Sequence, residues 1–312
     1  MRILLFIGVL LLAVGLYFPA QAQPPLWEPN FGTELTDLTG CDDCIQDINF
    51  PFAFPFNGNI YTTAGITTNG CIHLNGEGLV GSGDYDFWSY MEEFLSNSDP
   101  DNPLICPFES DLDLSANGMI YYNNSNPAVI TWDGVGAYDG QAVELTFQAL
   151  LYPDGSIVIN LNGILNGPGE SLADLEGGIV IGVTPSNLPF NDEPIVPGDP
   201  GPVDLNQGPF NFGSTAYERW CDDLADSCGT DGDNTGLPGP INTAFDLDLW
   251  SICFTPEARG FSITSGFQGD GLECGGDFVS PVPTLSEWGL IAMAGILGIV
   301  GLMVMRRRKV TA

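Results

Sequence analysis

Residues 143–163 read VELTFQALLYPDGSIVINLNG. Val143, Leu145, Phe147, Ala149 and Leu151 fall at every second position, the period of a strand that turns one face to a core. Pro153-Asp154-Gly155-Ser156 supplies turn chemistry, and Ile157 to Leu161 is an apolar run of strand length that returns alongside. The stretch therefore predicts two antiparallel strands.

The same signature recurs on either side. GMIYYNNSNPAVITW predicts a hairpin with strands at 118–122 and 128–132. INFPFAFPF places Phe50, Phe52, Phe54 and Phe56 on one face of an extended segment. Pro51 and Pro55 stand on the other face, cannot donate to a ladder, and so suggest a sheet edge. NIYTTAGITTNGCIHL gives two short β-rich runs around Gly65 and the Asn69-Gly70 turn signal, and GGIVIGV (177–183) reads as a buried strand. About eight strands precede residue 185, with no long amphipathic helix between them. That pattern predicts an all-β, antiparallel sandwich-like domain over residues 23–185 and not a βαβ fold. Residues 85–97 (YDFWSYMEEFLSN) are expected as a loop or short helix over the sheet.

Seven prolines in residues 185–213 mark 186–213 as a Pro/Gly-rich linker or long loop. Residues 214–281 form a Cys-containing β-rich region. AYERWCDDLADSC reads there as a short helical turn, and Phe245, Leu247 and Leu249 alternate with Asp246 and Asp248 as a strand. Fewer than 70 residues bury little alone, so this region either relies on disulfides or docking, or completes the first sandwich.

The ends carry address signals. Met1-Arg2, the apolar run Ile3 to Phe18 and Ala20-Gln21-Ala22 form the three parts of a secretory signal peptide, residues 1–22, with cleavage expected before Gln23 and export by the Sec machinery. At the other end Trp288 to Met305 is an uncharged run of 18 residues, just long enough to span a bilayer as one transmembrane helix. Arg306, Arg307, Arg308 and Lys309 follow at once as a stop-transfer cluster held on the cytoplasmic side.

Between these ends the charge is extreme. The exported part holds 39 of the chain's 40 acidic residues against two basic ones, Arg219 and Arg259, a formal charge of −37. Such a surface repels nucleic acid and anionic lipid and attracts divalent cations. All eight cysteines (Cys41, Cys44, Cys71, Cys106, Cys221, Cys228, Cys253, Cys274) lie in the exported part, where they imply disulfides. Their pairing is open among 105 connectivities. Zinc at Cys41-x-x-Cys44 or Cys221-x6-Cys228 is disfavoured by acidic neighbours and by the lack of nearby histidine. A reactive thiolate is disfavoured too, because Asp42 and Asp43 would raise its pKa.

Two resemblances follow from these residues. Val282, Pro283, Thr284, Leu285, Ser286, Glu287, Trp288 and Gly289, followed by the apolar helix and basic cluster of 282–312, resemble the IPTL-CTERM sorting signal, with Val282 where that family usually has Ile. The resemblance implies an envelope protein that an exosortase-type transpeptidase cuts near the motif and delivers to the cell surface or extracellular matrix, after transient anchoring in the inner membrane. Residues 45–185 resemble the nidogen-like NIDO domain of matrix and adhesion proteins, chiefly through Thr131-Trp132-Asp133-x-Val135 and Phe147-x5-Pro153-Asp154-Gly155-Ser156. Cys71 and Cys106 stand where that family usually has apolar residues, and the strand neighbours it implies would permit a Cys71–Cys106 bridge. The resemblance points to adhesion or matrix association and supplies no catalytic residues.

Candidate chemistry is confined to oxygen ligands. Asp111, Asp113, Ser115 and Asn117 alternate before Gly118 like the start of a calcium loop, but glycine is misplaced for an EF-hand and Tyr122 stands where its glutamate would be. Asp231 and Asp233, with Thr235, form a second oxygen-rich loop. Either is more often a solvated turn. A glycosidase would draw on Asp111/Asp113 or Asp84/Asp86. A carbohydrate-binding module would use the Tyr85, Phe87, Trp88 and Tyr90 cluster, whose alternative is to cap the core. The single histidine, His73, has no visible triad partner and sits in a predicted strand. The expectation is a non-catalytic surface or matrix component with extracellular polysaccharide or matrix as partner, no cofactor unless calcium bridges its carboxylates, and no nucleic-acid role.

Overall fold

The strand β9 (Leu145–Leu151) and its return β10 (Ile157–Leu161) pair in register from Ile157↔Leu151 to Leu161↔Phe147. The turn between them is closed by the Gly155 amide donating to the Tyr152 carbonyl at 2.9 Å and by the Ser156 amide donating to Asp154 Oδ1 at 2.9 Å. Gly155 has φ +88°, and a Cβ there would press on the Pro55 carbonyl oxygen at 2.7 Å, so only glycine suits the site.

In the computed structural model the described residues are 24–75, 103–115, 117–138, 144–164, 179–185, 204–207, 209–212, 215–220, 245–258 and 260–274. Among them the regular structure is strand and short 3-10 turn, without an α-helix. The further strands are β1 (Thr33–Glu34), β2 (Ile45–Phe56), β3 (Asn59–Thr67), β4 (Ile72–His73), β5 (Leu104–Glu109), β6 (Leu112–Asp113), β7 (Met119–Asn123) and β8 (Ala128–Ala137). After β10 come β11 (Ile179–Thr184), β12 (Phe210–Phe212), β13 (Ala216–Trp220), β14 (Trp250–Pro256) and β15 (Phe261–Phe267).

These form two antiparallel sheets. One runs β1-β7-β8-β9-β10-β14-β15-β12, with β6 joined to β8; the other runs β13-β11-β5-β4-β3-β2. The predicted all-β class, antiparallel pairing and disulfides are all present. The inner faces share one core, in which Trp132 stacks on Phe147 (centroids 5.0 Å) and Phe147 on Phe108 of the opposite sheet (5.3 Å). β2 is an edge strand, as its prolines require, and its ladder with β3 is interrupted between Asn49 and Phe54, across Pro51. Phe50, Phe54 and Phe56 are buried, and Phe52 packs on the core from a half-buried position.

Strands beyond the proline-rich stretch pair with strands before it: β14 with β10, and β13 with β11. The described strands after residue 213 thus complete the first sandwich. At the end of the stretch read as a linker, Phe210–Phe212 is an edge strand on β15, and Leu205 is buried in the core.

Two sequence expectations fail here. Residues 216–220 are not a helical turn but strand β13, in register with β11 from Ile179↔Trp220 to Val183↔Ala216. Residues 245–249 are not a strand. Leu249 has φ +66°, and Asp248 Oδ1 accepts the Gly163 and Ile164 amides at 2.9 and 3.0 Å, so this alternation belongs to a turn that brackets the end of β10. The strand starts at Trp250, although Leu247 is buried as expected.

The outer face of the larger sheet is covered as well. Thr131, Gln148, Asn160 and Ser251 lie in register across β8, β9, β10 and β14 and are fully buried. Residues 24–31 cross over them. Asn160 Nδ2 donates to the Leu26 carbonyl (2.9 Å) and Gln148 Nε2 to the Glu28 carbonyl (2.8 Å). The Leu26 amide donates to Ser251 Oγ (3.0 Å) and the Glu28 amide to Gln148 Oε1 (3.2 Å). In the next row Val129, Leu150 and Val158 are covered by Leu26, Tyr152 and Cys274. Buried side-chain amides are thus matched by a backbone that enters no ladder.

The predicted signal peptide (1–22) and the apolar helix and basic cluster of 282–312 lie outside the described residues, as do residues 85–97.

Candidate functional site

Asp111 lies in the short link between β5 and β6 and is buried at 1 % exposure. Its sequence companions have hydrogen-bond partners of their own, although Asp113 stays near enough to act on Asp42. Asp113 is closed on its own turn, accepting the Ser115 amide and the Ser115 hydroxyl at 2.6 Å each, and Asn117 Nδ2 donates to the Gly134 carbonyl at 3.0 Å. The run Asp111, Asp113, Ser115 and Asn117 therefore does not wrap a common point.

Asp111 instead meets Asp42 and Asp43, whose carboxylate oxygens lie with its own within 4.8 Å of one another. Asp42 and Asp43 sit inside the Cys41–Cys44 disulfide loop. Thr68 secures that loop: its hydroxyl donates to the Asp42 carbonyl and accepts the Cys44 amide at 3.0 Å, and its amide donates to the Cys44 carbonyl at 2.9 Å. Asn69 joins the two sides, with Nδ2 donating to Asp43 Oδ1 and Oδ1 accepting the Leu112 amide, both at 3.0 Å. This explains the Asn69-Gly70 pair. Gly70 has φ +85°, and a Cβ there would collide with the Phe108 carbonyl, so glycine lets the asparagine reach across.

The electrostatics match the crowding. Burial, then Asp43 and Asp113, push the Asp42 carboxyl up to about 6, and Asp42 Oδ1 is buried without a hydrogen-bond donor. Three carboxylates converging with one such oxygen suit a hard divalent cation, with water completing the shell. Sequence reasoning gave Asp42 and Asp43 a role only in discouraging zinc and thiolate chemistry. The signal available was two aspartates inside a four-residue disulfide loop.

Of the other candidate groups, six cysteines and His73 fall among the described residues. Cys41–Cys44, Cys71–Cys106 and Cys253–Cys274 are disulfides, a form in which their sulfurs are not thiolate ligands. The Cys71–Cys106 pair is the one the resemblance implied. His73, in β4, is buried and held neutral, its pKa lowered to about 4 by burial. Asp84, Asp86, Tyr85, Phe87, Trp88, Tyr90, Asp231, Asp233, Cys221 and Cys228 lie outside the described residues, as do Val282 to Gly289 and Arg306 to Lys309.

Comparison with known families gives two matches. The family described as NIDO related matches residues 18–187, and the IPTL-CTERM motif matches residues 280–308. No curated protein and no solved structure matches the chain. The motif is a sorting signal processed by an exosortase-type enzyme, and it marks an exported protein sorted to the cell surface. A sandwich whose Trp132 and Pro153–Ser156 signatures fall inside the first match, followed by the second, places this chain in the NIDO-related family, with an IPTL-CTERM motif behind its domain.

Proposed function

We propose that the protein is a non-catalytic adhesion or biofilm-matrix component, displayed from its C-terminal side and stiffened by calcium. The observation that carries this reading is the succession of a NIDO-related domain and a sorting motif in one chain. A disulfide-closed sandwich with a formal charge of −37 on its exported part suits a hydrated, cation-rich polymer outside the cell. The Asp42, Asp43 and Asp111 carboxylates are the place for the ion.

Intact mass and cell fraction of the mature protein from its native host test the display. The expected product starts at Gln23, lacks everything from about Thr284 onward, and partitions with the surface or matrix. Retention of Trp288 to Ala312 in a membrane fraction would overturn sorting. Adhesion is tested by deleting the gene: a loss of biofilm or surface attachment, restored by the full chain, is expected, and unchanged attachment defeats that role.

A further inference from the structure

Display from the C-terminal side sets where tension enters the fold, and the inference below rests on that reading. Cys274 stands eight residues before Val282 and is bonded to Cys253, 21 positions earlier in the chain. Cys253 lies in the middle of β14, with Val158 of β10 opposite on one side and Thr264 of β15 on the other. β14 is an interior strand: β15 and β12 lie beyond it on one side, and β10, β9, β8, β7 and β1 on the other.

β15 spans 261–267, so it falls wholly inside the covalent loop closed by Cys253 and Cys274. After β15 the chain turns at 267–270, where the Phe267 amide donates to Asp270 Oδ2 and the Asp270 amide to the Phe267 carbonyl, each at 2.9 Å. Leu272 then faces Gly266, and Cys274 reaches the outer patch of Val129, Leu150 and Val158. The chain thus doubles back across its own last strand to the strand behind it.

We propose that Cys253–Cys274 is a tension clamp, which passes a pull from the tether directly to β14 and removes β15 and β12 from the path of the force. Without the bond, tension would travel along the backbone into Phe267. It would then open the β14–β15 ladder pair by pair from Trp250↔Phe267, and β12, which among the described strands pairs with β15 alone, would leave with it. With the bond, the force acts on a strand held by ladders on both sides, and these must yield together with the sheet.

The test pulls on the full chain displayed on cells that carry the sorting machinery. The cantilever holds an antibody to an epitope placed in the Asn57–Gly58 turn, where a side chain on Gly58 meets no atom within 4 Å. The wild type is expected to show no step before the main rupture. Cys253→Ser/Cys274→Ser is expected to show an early step, at a force several-fold lower, releasing about 25 Å for seven strand residues. Identical traces overturn the clamp.

A second protein keeps both cysteines and carries a protease site in the exposed 268–271 turn. Cleavage should leave its domain on the cell until a reductant is added, and shedding on cleavage alone overturns the proposal even if the double variant fails to fold. Absence of the wild type from the surface fraction before any pull defeats the display reading itself, and the clamp with it.

Discussion

The indole N–H of Trp132 donates to the Thr67 carbonyl at 3.0 Å, and this bond crosses the core from the larger sheet to the smaller one. Trp132 is fully buried, and its ring lies against Phe147. Two contributions can be separated by substitution. Trp132→Phe keeps a ring but loses the donor, and a cost of about 1–2 kcal/mol is expected. Trp132→Ala also leaves a cavity and should cost about 3–5 kcal/mol. Denaturant midpoints with the disulfides intact check both values. A Trp132→Phe midpoint equal to wild type would show that the inter-sheet bond contributes nothing.

The acid cluster makes a pH prediction of unusual sign. The folded pKa of Asp42 is raised to about 6 from an ordinary 3.8, so between these values the folded state binds the proton more tightly than the unfolded chain. Stability from this group therefore rises as pH falls through about 6 towards 4, and the repulsion is fully present above 6. Asp42→Asn should raise the melting temperature at pH 7.5 in chelator and flatten the dependence in that window. Added calcium should stabilise the wild type at pH 7.5 and leave Asp42→Asn and Asp111→Asn little changed. An equal calcium shift in all three proteins would exclude this cluster as the ion's site.

How much of this was legible in the sequence depends on which face of a strand carried the information. Inner-face alternation in β2, β8 and β9 is a period-two signal, and it located both sheets. The eleven described strands up to Thr184 exceed the expected eight by β1, β5 and β6: β1 and β6 have two residues each, too short to show a period, and β5 is buried at every position and so shows no alternation. Outer faces misled. Gln148 and Asn160 look solvent-facing and are fully buried, because their partners are the backbone of residues 26 and 28, more than a hundred positions away. Asp248 and Leu249 imitated strand alternation inside a turn. The carboxylate cluster escaped because Asp42 and Asp111 come from segments nearly seventy residues apart, joined only by the fold.

His73 should act against Asp42 as the medium acidifies. Its pKa falls from 6.5 to about 4 in the folded protein, so the unfolded chain takes up the proton first. Stability is unaffected above about 6.5 and is lost as pH drops from there to about 4. A fully buried imidazole shifted this far corresponds to a loss on the order of 3 kcal/mol. Comparison of wild type with His73→Gln across pH 7.5 to 4 isolates the effect, since the carboxylates are common to both. Parallel curves would mean that His73 does not remain neutral in the fold.

The strap of residues 24–31 yields the last prediction. Gln148 alone makes both hydrogen bonds to Glu28, and also donates to Thr131 Oγ1 at 3.0 Å. Gln148→Leu keeps the volume of the side chain but leaves the Glu28 amide and carbonyl facing an apolar group. Each such backbone group costs about 1–3 kcal/mol when buried without a partner. The cheaper response is for the strap to lift off, which exposes Val129, Leu150 and Val158 on the outer face. Limited proteolysis should then cut within residues 24–31 of Gln148→Leu at a protease concentration that leaves wild type intact, while the interior of the sandwich resists in both. Thr131→Val, which removes one bond inside the row and none to the strap, should leave residues 24–31 protected. If both variants are cut alike, the row supports the sheet and does not hold the strap.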